Sequence, residues 1–159
     1  MKAKKVKQAK KISKKTHIAL ILDKSGSMQG CLADTISGFN SQLEVIRKNM
    51  EKGGETTVTL ITFNENVNIL QEAVNADSVQ GINHQSYQPN GSTAMYDAVH
   101  DAIESLKKLD DGQEQTAFLV ITISDGMENA SRRISSVRLA EKIQELESTK
   151  RWTFGYVGA

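Results

Sequence analysis

Three short apolar runs constrain the fold of this chain more than any other feature. His17–Leu22 (HIALIL) and Ala117–Ile123 (AFLVITI) are almost uninterrupted, and Thr56–Phe63 (TTVTLITF) is β-branched and aromatic. Runs of this length and composition read as strands, and a strand with no polar alternation is one covered on both faces, as in parallel sheets. Between them the period changes. Leu32, Ile36, Phe39, Leu43, Ile46 and Met50 recur at steps of three and four, one face of an amphipathic helix that Gly53-Gly54 ends. Ala94–Leu109 is a second helix, with Met95, Ala98, Val99, Ala102, Ile103, Leu106 and Leu109 as its buried stripe. Ile134–Leu146 is a third, with Ile134, Val137, Ile143 and Leu146 in register.

The remaining segments complete the pattern. Asn64-Glu65-Asn66 is a turn, and Val67–Leu70 returns antiparallel from it. Residues 71–93 form a polar connection with one short helix and a turn at Pro89-Asn90-Gly91. Trp152–Val157 is a last strand, in which Trp152 is a core residue. Strands alternating with helices imply right-handed crossovers and a mostly parallel sheet with helices on both faces. In such sheets ligands bind at the carboxyl ends of the strands, where the strand order reverses.

Charge divides the chain in two. Residues 1–15 hold eight lysines and no acid, whereas the rest carries 12 basic and 19 acidic residues, a net of −7. We read 1–15 as a disordered basic arm and 16–159 as the folded domain. The arm is either a solvated tail that aids solubility, the commoner case at termini, or a contact for nucleic acid, an anionic membrane or an acidic partner. With 5% aromatic residues and no stacking motif, base recognition is poorly supported. No apolar run reaches the ~20 residues of a membrane helix, and the first residues lack an apolar signal core. The single Cys31 excludes an internal disulfide framework and suits a reducing, cytoplasmic compartment.

Three oxygen-rich segments fall where the topology puts ligands. Asp23-Lys24-Ser25-Gly26-Ser27-Met28 follows the first strand, Gly91-Ser92-Thr93 precedes the second helix, and Ser124-Asp125-Gly126 follows the strand of 117–123. All three are expected at one edge of the sheet, so Asp23, Ser25, Ser27, Thr93 and Asp125 can converge. Five oxygen donors, two of them charged, with no nitrogen or sulfur, suit a hard divalent cation such as Mg²⁺. The i, i+2, i+4 spacing of Asp23, Ser25 and Ser27 lets an extended loop aim alternate side chains at one point, and Gly26 permits the turn. Neutral hydroxyls compensate little of the ion's charge, so an outside anion is expected to complete the coordination.

Asp23-Lys24-Ser25-Gly26-Ser27 resembles the D-x-S-x-S signature of von Willebrand factor type A domains, integrin I domains among them. Thr93 lies in the loop where that family places a metal-binding threonine, and Ser124-Asp125-Gly126 resembles its third loop. The resemblance runs from about Thr16 to Ala159. It implies a Rossmann-like three-layer α/β/α fold with a mostly parallel sheet and one antiparallel edge strand. It also implies a metal-ion-dependent adhesion site holding Mg²⁺ or Mn²⁺. Ser25, Ser27 and Thr93 would bind the ion directly, and Asp23 and Asp125 directly or through water. Gly26, Ser92, Asp97 and Gly126 would support them, although Asp97 can equally serve the dipole of its helix. A partner's Asp or Glu would fill the open position, in a multiprotein assembly that can include an AAA+ ATPase. The family's sheet normally continues past the strand of 152–157 with a further helix and a sixth strand. We therefore expect the edge of that last strand to be taken by another chain or a rearranged segment.

The rival readings are weaker. A Ser25 or Ser27 nucleophile needs a base, and none of His17, His84 and His100 stands in a triad context. An Asp23 phosphotransferase nucleophile wants a second Asp two residues on, where Ser25 stands. A Mg²⁺-dependent phosphoesterase and a nucleic-acid-associated protein led by the arm are the alternatives to a non-enzymatic binding module. Met28, Met95 and Met127 follow the motif loops at similar offsets, as core packing or, less favoured, as a soft rim for a partner. Cys31 is read as an inert, buried thiol.

Overall fold

The structure is a computed structural model that describes residues 14–50 and 52–158. Five strands form one sheet: β1 (Lys15–Asp23), β2 (Glu55–Phe63), β3 (Val67–Asn75), β4 (Thr116–Ser124) and β5 (Trp152–Gly158). Their order is β3-β2-β1-β4-β5. Only β3 runs antiparallel, to β2. Helix α1 (Leu32–Lys48) follows β1, α2 (Met95–Lys107) joins β3 to β4, and α3 (Ser136–Ser148) joins β4 to β5. The sheet is the expected mostly parallel one with one antiparallel edge strand.

The apolar runs are continuous because both faces of the sheet are covered. Along β1, Ile18, Leu20 and Leu22 pack beneath α1 with Phe39, Leu43 and Tyr87. Ala19 and Ile21 face the other way, into the layer of α2 and α3 with Ile103, Leu106, Leu139 and Trp152. Two cores thus sandwich one central strand. Phe118 stacks on Trp152, centroids 4.3 Å apart, and Trp152 is the expected core residue.

Several boundaries differ from the sequence reading. Strand β1 begins at Lys15, paired with Glu55 and Thr116, so the last residue assigned to the arm belongs to the sheet. The rest of the arm, up to residue 13, lies outside the described residues. The strand after the turn extends to Asn75 rather than Leu70. Its register shifts along β2, and Ala73 adopts a left-handed conformation (φ 51°) with its N–H on Thr59 Oγ1 at 3.0 Å. Helix α3 starts at Ser136, because Ser135 caps it by accepting the Arg138 N–H at 3.2 Å. Its buried residue is Leu139, whereas Val137 is 65% exposed and is not part of the stripe. A short 3₁₀ turn at Gly26–Cys31 leads into α1.

Candidate metal centre

β1 lies between β2 and β4, so the chain winds first to one side of it and then to the other. The crevice beyond the carboxyl ends of β1 and β4 is the switch point of such a sheet, and all three oxygen-rich segments meet there. Backbone and side-chain hydrogen bonds lace them together. Lys24 N donates to Phe63 O at 2.6 Å, tying the first segment to β2, while Asn90 N donates to Lys24 O at 2.8 Å and Gly26 N to Gly91 O at 2.9 Å, joining the first segment to the second. Thr93 N donates to Asn129 Oδ1 at 2.8 Å, and Thr93 O accepts from Asn129 N and Ala130 N at 2.9 and 3.0 Å, joining the second segment to the stretch just after the third. Ser27 Oγ donates to Asp125 Oδ1 at 3.0 Å, joining the third to the first.

Asp23 sits fully buried at the base. Its Oδ1 accepts the Ser25 N–H at 2.7 Å and its Oδ2 accepts the Ser124 hydroxyl at 2.5 Å. Its carbonyl takes the Tyr87 hydroxyl, whose pKa is pushed up by burial and by the nearby Asp23 charge. Tyr87 is therefore a neutral donor that fixes the end of β1. Ser25 Oγ stands 3.3 Å from Ser27 Oγ. Ser25 and Thr93 are buried, while Ser27 and Asp125 face solvent and form the open side.

Gly126 reports how closely these oxygens gather. A Cβ built there meets Asp23 Oδ2 at 3.4 Å, Ser27 Oγ at 3.6 Å and Thr93 Oγ1 at 3.7 Å, two donors from the first segment and one from the second, gathered beside a glycine of the third. A single carbon-sized volume is thus bounded by oxygen on three sides. Its donor set of carboxylates and hydroxyls fits Mg²⁺ or Mn²⁺ and suits softer metals poorly. Among the described residues no three His, Cys, Asp or Glu side chains gather to hold a metal. That is expected of a site in which hydroxyls outnumber carboxylates.

The expected supporting residues have varied placements. Gly26 and Gly126 lie in the cradle loops as anticipated. Ser92 is exposed, and its N–H goes to Glu65 Oε2 at 3.0 Å. Asp97 is buried, and its oxygens accept the N–H groups of Arg132 and Arg133, each at 3.0 Å. It pins the segment after β4 to α2 and touches none of the five candidate ligands by a hydrogen bond. Met28 is fully buried and Met127 is 85% exposed, so core packing holds for the first and not for the second. Cys31 is half-buried, with Sγ on Met28 O at 3.6 Å. Sequence reasoning missed Tyr87, Asn129, Asn64 and Glu65. Asn64 Nδ2 holds Asn90 Oδ1 at 3.0 Å, and the Glu65 carboxylate fills the space a side chain on Gly91 (φ 82°) would need. Only Asn64 and Glu65 carried a signal, as residues of the turn beside the site.

An open, doubly wound α/β sheet with oxygen donors at its switch point defines the class, a Rossmann-like α/β domain. Residues 18–128 match the family model of the von Willebrand factor type A domain, and the chain belongs to that family. Members of the family are often metal-dependent protein-interaction modules. The fold is similar to that of a von Willebrand factor type A protein from Catenulispora acidiphila (18% identity, TM-score 0.63, covering 92% of this chain and 33% of that one). It is also similar to the ArnB paralog VWA2 from Sulfolobus acidocaldarius (16%, 0.58, covering 90% and 34%). A third likeness is to the manganese-loaded TRAP protein of Plasmodium vivax (18%, 0.57, covering 91% and 58%). The chain spans about a third of the length of the first two. No curated protein matches it.

Proposed function

We propose that this domain is a divalent-cation-dependent binding module that grips a carboxylate of a partner protein. The observation that carries the reading is the gathering of Asp23 Oδ2, Ser27 Oγ and Thr93 Oγ1 around one point beside Gly126. Ser25, Ser27 and Thr93 would hold Mg²⁺ or Mn²⁺ directly, with Asp23 and Asp125 beside it. The ion, when bound, supplies an under-neutralised positive charge that an Asp or Glu side chain of the partner completes. Asp23 is committed to its loop by two hydrogen bonds, so it lends charge without leaving the protein scaffold. Ser27 and Asp125 lie on the exposed side, where an incoming anion would arrive. Manganese in the Plasmodium vivax protein supports the choice of ion.

The module is proposed to be non-catalytic. His17 of β1 is buried against Thr57 Oγ1 (2.7 Å), and His100 of α2 faces Lys142 of α3 (3.2 Å), so neither can serve the cradle as a base. We place it in the cytoplasm, in keeping with a lone unpaired cysteine, within an assembly that can include an AAA+ ATPase. Among the described residues no helix is long and apolar enough to cross a membrane.

The test is calorimetry and thermal shift with Mg²⁺ and Mn²⁺. Wild type is expected to bind and gain stability, whereas Asp125→Ala keeps its circular dichroism and gains none. Pull-down of a carboxylate-bearing partner is expected to fail with EDTA and with Ser25→Ala. A Mg²⁺ shift that persists in Asp125→Ala overturns the assignment.

A further inference from the structure

Helix α2 starts without a cap of its own. Ala94 holds the N-cap position and brings no side-chain acceptor to the first amides of the helix. The acceptors come from the segment after β4. Ser131 Oγ accepts the Asp97 N–H at 3.0 Å, and the Asp97 carboxylate answers by accepting the N–H groups of Arg132 and Arg133, each at 3.0 Å. This is the reciprocal exchange of a capping box, with the serine supplied from 34 positions further along the chain. Two residues before Ser131, Asn129 treats Thr93 in the same way. Its Oδ1 accepts the Thr93 N–H at 2.8 Å, and its own N–H goes to Thr93 O at 2.9 Å. Glu128 Oε1 accepts the Ser131 N–H at 2.7 Å, which folds the segment back on itself. Both polar groups of the Thr93 backbone are therefore held from beyond Asp125, and the first turn of α2 is held by the same stretch.

We propose that Asn129 and Ser131 are positioning residues of the metal centre, which hold the Thr93 hydroxyl in the cradle from outside it. The inference rests on the proposed cation site. Thr93 is buried, and its β-branched side chain has little rotameric freedom, so Oγ1 goes where the backbone carries it. That oxygen is one of the three gathered beside Gly126. A shift of the backbone at Thr93 thus takes one donor out of a set that Mg²⁺ demands in near-ideal octahedral geometry. Asn129 fixes this backbone while itself exposed to solvent, so its hydrogen bonds rather than its packing make the connection. Neither Asn129 nor Ser131 hydrogen-bonds a side-chain oxygen of the five candidate ligands, so each acts through another residue. Ser131 fixes the first turn of the helix that Thr93 leads into, and the segment that carries both residues also carries Asp125. Cation binding and the capping of α2 are therefore coupled, and what tightens one tightens the other.

By calorimetry, Asn129→Ala is expected to bind Mg²⁺ about 10- to 100-fold more weakly than wild type, the range typical of groups that orient metal ligands, with its circular dichroism unchanged. Asn129→Asp keeps an acceptor for the Thr93 N–H and is expected to restore the affinity. Ser131→Ala is expected to weaken binding in the same direction. Ser131→Thr, which keeps the hydroxyl, is expected to restore it with no change of charge. Hydrogen exchange followed by NMR in the absence of metal gives a second readout. The Thr93 amide is expected to exchange faster in Asn129→Ala, and the Asp97 amide faster in Ser131→Ala. Leu20, paired on both sides in central β1, is expected to keep its wild-type protection in both. A wild type that binds neither Mg²⁺ nor Mn²⁺ overturns the cation site and this inference with it. Where wild type binds, three results each overturn the inference alone: wild-type affinity in either alanine variant, a loss that Ser131→Thr does not restore, or exchange that quickens at Leu20 as well.

Discussion

Asp23 illustrates how a buried charge is made tolerable. Its carboxylate is removed from water, yet one oxygen accepts an amide N–H and the other a hydroxyl, which offsets much of the desolvation cost. The D-x-S-x-S spacing was legible because it lies within five residues. The partners that hold it in place were not, because Ser124 is 101 positions away and Tyr87 is 64. Thr93 was legible in the oxygen-rich segment ahead of the second helix, while the Asn129 side chain that fixes its N–H from 36 positions on left no local trace. The tightness of the cradle yields a prediction at a single atom. Gly126→Ala puts a methyl group 3.4 to 3.7 Å from the three gathered oxygens, an ordinary contact for the protein but an intrusion into the volume available to an ion. We expect its thermal midpoint without metal to lie within a few degrees of wild type, and Mg²⁺ binding by calorimetry to be lost.

Helix α3 shows the limits of a periodic reading. Ile134, Val137, Ile143 and Leu146 fit a stripe on paper, but Ser135 accepts the Arg138 N–H and starts the helix at Ser136. Ile134 then precedes the helix, and the face that meets α2 and β5 is Leu139, Ile143 and Leu146. Leu139→Ala should cost about 2–5 kcal/mol, as a large-to-small change in a core does. Val137→Ala should stay within about 0.5 kcal/mol, as surface changes do. Urea unfolding of the two variants decides between the faces, since the paper stripe gives Val137 the larger loss. The β3 strand was under-read for a related reason. Glu72 and the irregular Ala73 interrupt the alternation, but Thr59 supplies an acceptor from its side chain and the pairing continues to Asn75.

At the scale of the whole molecule, one buried group makes stability depend on pH. His17 lies in central β1, and burial holds its pKa below the ordinary 6.5, against a smaller raising effect of Glu55. The unfolded chain therefore takes up a proton near 6.5 while the folded chain stays neutral to lower pH. Stability is complete above 6.5 and declines as the pH falls from there toward the lower, folded value. Urea midpoints measured from about pH 7.5 to about pH 5 should fall for wild type and fall less for His17→Gln. Asp110 and Asp111 add a loss shared by both only at lower pH, as it falls below their ordinary value of 3.8. The Arg151 pair holds Asp110 low, and the Thr116 hydroxyl holds Asp111 low. Local order in the sequence determined the strands, the helices, the α/β class and the first cradle loop, because periodicity and turn chemistry act over a few residues. Tertiary structure alone decided which face of α3 is buried and where Asp97 sends its carboxylate. It also decided how three loops close on one point, because those contacts join residues tens of positions apart and no neighbouring residue records them.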